Sequence, residues 1–297
     1  MQLQSKIIES VKGRLRRNRT LMQLIRGRQV PAAKGQLRID QAKLRIAIRN
    51  NRDTLKTVTN WIDPDSFEKS VCAYGMSLST RGVINDAIGP QTTYSDLMAY
   101  FCKEMPLDPN YLEIGVSVGK NFWQLLNCVE RGNFWGFDIE NINPVLKSKL
   151  SFTSQTKIRS SFKSSRVEEP HVSRFSYEGK TVRYSAGDVY DDDVWQMFDG
   201  QKFSLIFSDA SHTPAALRTE WKQISGRSLL DQRGFTIVWD DLGSPGMRDA
   251  FNDIVVDCGK DYRVGQRNAC LAHVYGWVGS AEPFHPIGII STHGFVS

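Results

Sequence analysis

The sequence is poor in the groups that staple or anchor a chain. Its five cysteines, Cys72, Cys102, Cys128, Cys258 and Cys270, are scattered, odd in number and form no C-x-x-C pair. That argues against a disulfide framework or a cysteine zinc site, and predicts reduced thiols that fill space as small buried hydrophobes. No window approaches the roughly 18–20 apolar residues of a membrane span, and the N-terminus lacks the compact apolar core of a signal peptide. The expectation is a cytoplasmic protein. No internal repeat is visible. The full G-x-G-x-x-G of a dinucleotide site is missing as well.

What is present is unevenly spread. The 297 residues are 40% apolar and 24% charged, the balance of a globular chain, and carry a net charge of +6. Residues 1–60 hold fifteen Lys/Arg against three Asp/Glu, so +12, and the rest of the chain is −6. Leu3, Ile7, Val11, Leu15, Leu21 and Ile25 recur mainly four apart among the arginines, which predicts an amphipathic basic helix over 2–29. Pro31 and Gly35 end it, and a second helical stretch follows from about Leu37 to Trp61. Such helices pack on the body, pair subunits into a homo-oligomer, or lie peripherally on an anionic membrane. Few aromatics interleave the arginines, so nucleic acid has little support as a partner.

From residue 62 the pattern changes. A helix over 92–105 is expected, capped by Thr93 or Ser95. Short apolar runs then end in acidic or small residues: Tyr111–Gly115, Phe134–Asp138, Val182–Ser185, Phe203–Asp209 and Phe235–Asp240. Helical segments at Phe122–Glu130, Val194–Phe198 and Ala215–Ile224 separate most of them. Alternation of this kind predicts an α/β fold with a doubly wound, mostly parallel sheet. Residues 261–268 and 269–279 read as a terminal antiparallel hairpin. Residues 141–180, polar and rich in Ser, Lys and Arg, read as a helix and solvated loop, or as a lid over an anionic substrate.

In open α/β sheets ligands sit beyond the carboxyl ends of the strands. Here those ends carry Glu113, with the Gly115-x-x-x-Gly119 loop, then Asp138, Asp188, Asp209 and the pair Asp240/Asp241. Clustered carboxylates repel and raise one another's pKa, which calls for a cation. Asp138 lies 23 residues past Gly115, about where a Rossmann-type acid grips ribose hydroxyls. Asp209, Asp240 and Asp241 suit a hard divalent metal, with magnesium first among them.

The ordered segments "YLEIGVSVGKNFWQLL", "FWGFDIE", "VRYSAGDVYDD", "FSLIFSDASHTPAALRTEW" and "RGFTIVWDDL" resemble the class I S-adenosylmethionine-dependent methyltransferases. Within these, they resemble the metal-dependent small-molecule O-methyltransferases that act on sugars and catechols. The resemblance covers residues 110–242. It implies a Rossmann-like seven-stranded sheet with an antiparallel C-terminal hairpin over 61–297, and a basic helical extension over 1–60. It further implies a cofactor loop of Glu113, Gly115, Ser117 and Gly119, with Asp138 on the ribose and Asp188 by the adenine. Asp209, Asp240 and Asp241 would hold the metal. His212, in the pattern D-x-x-H, would be the general base, and Asp209 would share in catalysis. The acceptor would be a small-molecule hydroxyl, on a sugar first and a phenol second. Two departures stand out: Ser117 between the glycines, and Asp209-Ala210 where many relatives have Asp-Gly.

Three other readings remain open. Gly115-Val-Ser117-Val-Gly119 also fits the G-x-S-x-G elbow of a serine hydrolase, with Asp240 and His273 as triad partners in chain order. A nicotinamide-dependent dehydrogenase would need a different glycine spacing. A methyltransferase-like scaffold could bind cofactor without turnover, held in place by residues 1–60.

Overall fold

The structure, a computed structural model, describes residues 33–58, 60–61, 88–161, 169–262, 264–276 and 285–297. The basic helix expected over 2–29 and Cys72 lie outside them. One compact unit runs from Ala33 to Ser297, so the second helical stretch, assigned by sequence to the extension, belongs with the body.

That stretch forms α1 (Gln41–Leu55), capped by Asp40, whose carboxylate accepts from the amides of Ala42 and Lys43. Leu44, Ala47 and Asn51 are its buried residues, three and four apart as a helix face requires. It packs on α2 (Tyr94–Glu104), which opens with a capping box between Thr93 and Asp96. The joint is polar. Arg52 donates to both oxygens of buried Asp96 at 2.9 and 2.8 Å, and Asn51 donates to the same carboxylate at 2.9 Å.

The chain then alternates strand and helix: β1 (Asn110–Ile114), α3 (Lys120–Leu126), β2 (Asn133–Asp138), α4 (Pro144–Ser148), β3 (Ser151–Lys157), β4 (His171–Tyr177), β5 (Lys180–Ala186), α5 (Asp192–Trp195), β6 (Leu205–Ser208), α6 (Pro214–Gly226), β7 (Thr236–Trp239), α7 (Pro245–Asp261), β8 (Ala269–Val274) and β9 (His285–Ser291). The strands form one sheet in the order β3-β4-β5-β2-β1-β6-β7-β9-β8. The five central strands β5, β2, β1, β6 and β7 are parallel, and both flanks are antiparallel. This is a Rossmann-like arrangement.

Both faces of the centre are covered. Successive residues of a strand point to opposite sides, and β2 shows the consequence. Phe134 meets Tyr111 and Phe122 on one face, while Trp135 meets Phe198 and Phe203 on the other. Strands buried on both sides read as unbroken apolar runs, which is how β6 (LIFS) and β7 (TIVW) appear, every residue buried. Cys102, Cys128, Cys258 and Cys270 are free and buried.

Three details differ from the sequence expectation. Among the described residues the sheet has nine strands rather than seven, because much of the 141–180 segment is neither loop nor lid but β3 and β4. β3 is an edge strand with both faces exposed, so its backbone pairing leaves no apolar signature. Between β3 and β4, residues 158–161 and 169–170 are in no helix or strand, and 162–168 lie outside the described residues. Ser160 and Ser161 bond to Asp191 and Asp193 beside α5. At the C-terminus, the described residues of the expected first hairpin strand 261–268 are instead a helix end and a short turn. The pair is β8 with β9, both downstream. Finally α7, capped by Ser244 with Pro245 in its first turn, was not read from the sequence at all.

Candidate functional site

The strand order reverses at β1, whose neighbours β2 and β6 lead away in opposite directions. A crevice opens beyond the carboxyl ends at such a switch point. The loop leaving β1 is built to be close to its neighbours. Gly115 has φ +85°, and a Cβ there would lie 2.4 Å from the Asp209 carbonyl oxygen. Gly119, at φ +89°, begins α3, and a Cβ would meet Leu146 at 2.6 Å. Both positions need glycine. Ser117 between them is also left-handed, at φ 53°, a costly conformation for a residue with a side chain.

Asp138, expected on a ribose, closes this loop. Its Oδ2 accepts from the amides of Val116 and Ser117, both at 2.7 Å, and its Oδ1 from that of Glu140 at 2.9 Å. A carboxylate has about four acceptor positions, so most are already engaged. Burial raises the Asp138 pKa, and the amides of Ser117, Glu140, Val116 and Ile139 oppose it. Glu113 is buried within β1. It accepts from the Tyr111 hydroxyl at 2.6 Å and from Asn121 Nδ2 at 2.9 Å, yet burial pushes its carboxyl well above the usual range. Asn121 Oδ1 is buried with no hydrogen-bond partner. Asp188 lies on the same rim and accepts from the Tyr190 amide.

Next to this loop, β6 and β7 deliver the other acids. Asp240 is at the floor, its side chain 4% exposed, while Asp209 is at 18% and Asp241 at 40% toward the mouth. His212 spans two of them: Nε2 donates to Asp209 at 2.9 Å and Nδ1 to Asp241 at 2.6 Å. The hydrogen bond to Asp209 comes first in raising the imidazole pKa to about 10. Burial opposes it, and the charges of Asp209, Asp240 and Asp241 add to the rise. His212 is thus an imidazolium clamped between carboxylates. Asp241 holds it from a left-handed backbone, φ 51°.

Asp209, His212 and Asp240 each offer a ligand atom, and the three atoms lie within 4.8 Å of one another. The two carboxylates, with water in the other positions, fit a divalent ion of the magnesium or manganese kind, and His212, whose two nitrogens both donate, stands beside it. The set expected from sequence was Asp209, Asp240 and Asp241. In the structure Asp241 is instead the partner of His212.

Three further residues at this corner escaped the sequence reading. Tyr94, first in α2, is buried with its ring 4.9 Å from that of Phe207. Burial, then the charges of Asp209, Asp240 and Glu113, keep its hydroxyl protonated. His285, first in β9, places Nε2 2.6 Å from Asp240 Oδ1. Glu220 of α6 lies behind the cluster and accepts from the Ser208 hydroxyl at 2.5 Å. Glu220 had a legible signal, an acid on the buried face beside Ala216, Leu217 and Ile224. Tyr94 and His285 had none, since their partners are more than forty residues away.

The hydrolase triad does not assemble. His273 lies on edge strand β8, four strand spacings from β1, or about 19 Å at about 4.8 Å per step. Asp240 pairs with His285 instead. A cavity of about 1000 Å³, lined by Ser225, Arg233 and Tyr262 among others, lies at the opposite end of the strands, away from the acids. Among the described residues no helix is long and apolar enough to cross a membrane.

No protein-family model and no curated protein matches the chain. Solved structures do. The O-methyltransferase TomG of Streptomyces achromogenes, involved in tomaymycin synthesis and solved with SAM, is 12% identical. That match covers 85% of this chain and 90% of TomG, with a TM-score of 0.43. An O-methyltransferase of Bacillus cereus, solved with SAH, is 13% identical over 85% of this chain and 91% of its own, at 0.38. MycE of the mycinamycin pathway, solved with Mg and SAH, is 15% identical over 77% of this chain and 53% of its own, also at 0.38. At such identities and scores the likeness carries no weight about activity.

Proposed function

We propose that this protein is an S-adenosylmethionine-dependent O-methyltransferase acting on a small-molecule hydroxyl with the help of a divalent ion. A sugar hydroxyl is the first expectation and a phenol the second. The reading is carried by one juxtaposition: the glycine loop after β1 packs against Asp209, so the loop expected to receive a nucleoside cofactor and a cluster of metal-competent side chains share one corner of the sheet.

The cofactor fits on two counts. Asn121 Oδ1, buried and unpartnered, and Glu113 beside it are acceptors suited to the ammonium of an amino-acid moiety. Asp138 stands at the second strand end, where a ribose would compete with the amides of Val116 and Ser117 for its oxygens. The metal fits by donor chemistry: Asp209 and Asp240 are neighbouring carboxyls, bonded to His212 and His285 respectively, and burial together with Asp209 raises the Asp240 carboxyl to about 7, a strain that a divalent cation would relieve.

Methyl transfer from a sulfonium is an in-line displacement, so the chain's task is alignment and deprotonation of the acceptor. A bound divalent ion supplies Lewis acidity that lowers the pKa of a coordinated hydroxyl. Asp209 and Asp240 would orient that centre. His212 serves as base only in its neutral form, which requires that Asp209 and Asp241 be satisfied by something other than its proton. Tyr94 and Phe207 form an aromatic wall on one side of the acids.

Calorimetric titration with S-adenosylhomocysteine, alone and with Mg²⁺, tests the reading, together with methyl transfer to a panel of sugars and phenols with and without EDTA. Binding of the cofactor product and EDTA-sensitive turnover support it. A protein that takes up neither species is not this enzyme.

A further inference from the structure

We infer that His285 is a positioning residue for the divalent ion: its imidazole fixes the Asp240 carboxylate so that the remaining oxygen is left for the corner shared with Asp209 and His212. The inference rests on the metal reading above and adds a residue which that reading does not contain.

Both partners are held by backbone on either side. The Asp240 amide donates to the Ser208 carbonyl at 2.9 Å, which keeps β7 in register with β6 to its last residue. Two residues on, the Leu242 amide donates to the Pro286 carbonyl at 2.8 Å and ties the loop after β7 to the start of β9. His285 itself pairs with Val274 of β8. The antiparallel return of β9 therefore brings a histidine to the carboxyl end of β7, where the acid is.

The contact is short, 2.6 Å from Nε2 to Oδ1, and deeply placed, the two side chains being 11% and 4% exposed. At that length the bond is charge-assisted, with the nitrogen donating. It engages one oxygen of Asp240 and leaves Oδ2. A buried carboxylate next to a second one, Asp209, tends to turn away from it or take up a proton; burial and Asp209 raise the Asp240 carboxyl, and the bond from His285 opposes that rise and holds the group in place. The Tyr94 ring, 6.3 Å from the imidazole, backs this corner. A histidine that only satisfied a core acid would matter for stability. One that aims the acid matters for ion affinity, and such outer partners are typically worth 10–100-fold there.

The test is Mn²⁺ titration of the full chain, followed by electron paramagnetic resonance, on wild type, His285→Leu, His285→Gln and His285→Asn, with melting temperatures measured alongside. Leu fills the space without a donor, Gln places an amide nitrogen near the Nε2 position, and Asn falls short of it. The expected result is a 10–100-fold weaker Mn²⁺ affinity in Leu and Asn, with Gln within about threefold of wild type. Should Leu not fold, the Gln–Asn pair gives the same reading. Equal Mn²⁺ affinity in wild type and in the folded variants without a donor overturns the inference alone, as does equal loss in Gln and Asn. A wild-type protein that binds no Mn²⁺ overturns the metal reading and this inference with it.

Discussion

Replacing Glu220 by glutamine should change how stability depends on pH. Glu220 is 1% exposed on the inner face of α6, and its carboxyl is pushed up to about 7, chiefly by burial and against the hydrogen bond from Ser208. The folded protein then holds a proton that the unfolded chain, at the ordinary value of 4.5, has lost. Stability is therefore greatest below about pH 4.5 for this group and falls as pH rises toward 7, levelling off above it. The difference between the two values corresponds to about 3 kcal/mol at about 1.4 kcal/mol per unit. Glutamine has nearly the same shape and nothing to ionise. Its stability relative to wild type should rise by up to about 3 kcal/mol between pH 5 and pH 8.5, or about 6 °C in melting temperature for a domain of this size. Scanning fluorimetry of both proteins across that range measures it. Parallel curves would refute the reasoning and show Glu220 ionised, or hydrated, in the folded state.

Three other outcomes follow from the geometry. Arg52→Ala leaves Asp96 charged, buried and without its bidentate partner, a loss of about 3–5 kcal/mol by urea unfolding; a loss under about 1 kcal/mol would show that the joint between α1 and α2 does not depend on the pair. Gly115→Ala forces a Cβ against the Asp209 carbonyl at a left-handed φ; about 1–3 kcal/mol of overpacking is expected, with loss of S-adenosylhomocysteine binding by calorimetry, and an unchanged melting curve would contradict the close packing of the two strand ends. His212→Ala should keep the affinity for S-adenosylhomocysteine and lower turnover by about 10²–10⁴; full turnover would remove this histidine from the chemistry.

The central sheet was legible because burial on both faces writes itself into the sequence. β1, β2, β5, β6 and β7 are apolar runs closed by an acid or a small residue, and each was read within a few positions. The helix 94–104 was legible because Thr93 and Asp96 form its cap from within four residues. The flanks were harder. β3 is held by backbone bonds to β4 alone, so SFTSQTK carries neither a run nor an alternation. The polar character of 141–180 suggested a loop for the same reason. Of the site, the acids at the strand ends were visible as a set, because parallel strands place their carboxyl ends on one rim. What each acid touches was not visible. That Asp138 is engaged by the amides of Val116 and Ser117, and Asp241 by His212, depends on turn conformations at Ser117 and Asp241 that no residue type announces.

Those two turns also bear on how the site is kept ready. Ser117 and Asp241 both occupy the left-handed region, where a side chain costs energy. Each is adjacent to the groups it serves: Ser117 turns its amide, with that of Val116, onto Asp138, and Asp241 turns its carboxylate onto His212. A relaxed backbone at either place would release the acid or the imidazole that it now constrains. The strain is offset by hydrogen bonds to ionised groups, which are stronger than those between neutral ones. In the corner of Asp209, Asp240 and Asp241, the negative charge is met by the proton on His212, by the bond from His285 to Asp240 and by the raised pKa of Asp240 itself. A divalent ion placed among the same carboxylates would take over that duty and free the imidazole to accept a proton. The acids, the strained turn and the histidine are then parts of one arrangement, in which the cation that balances the carboxylates decides whether a base is present.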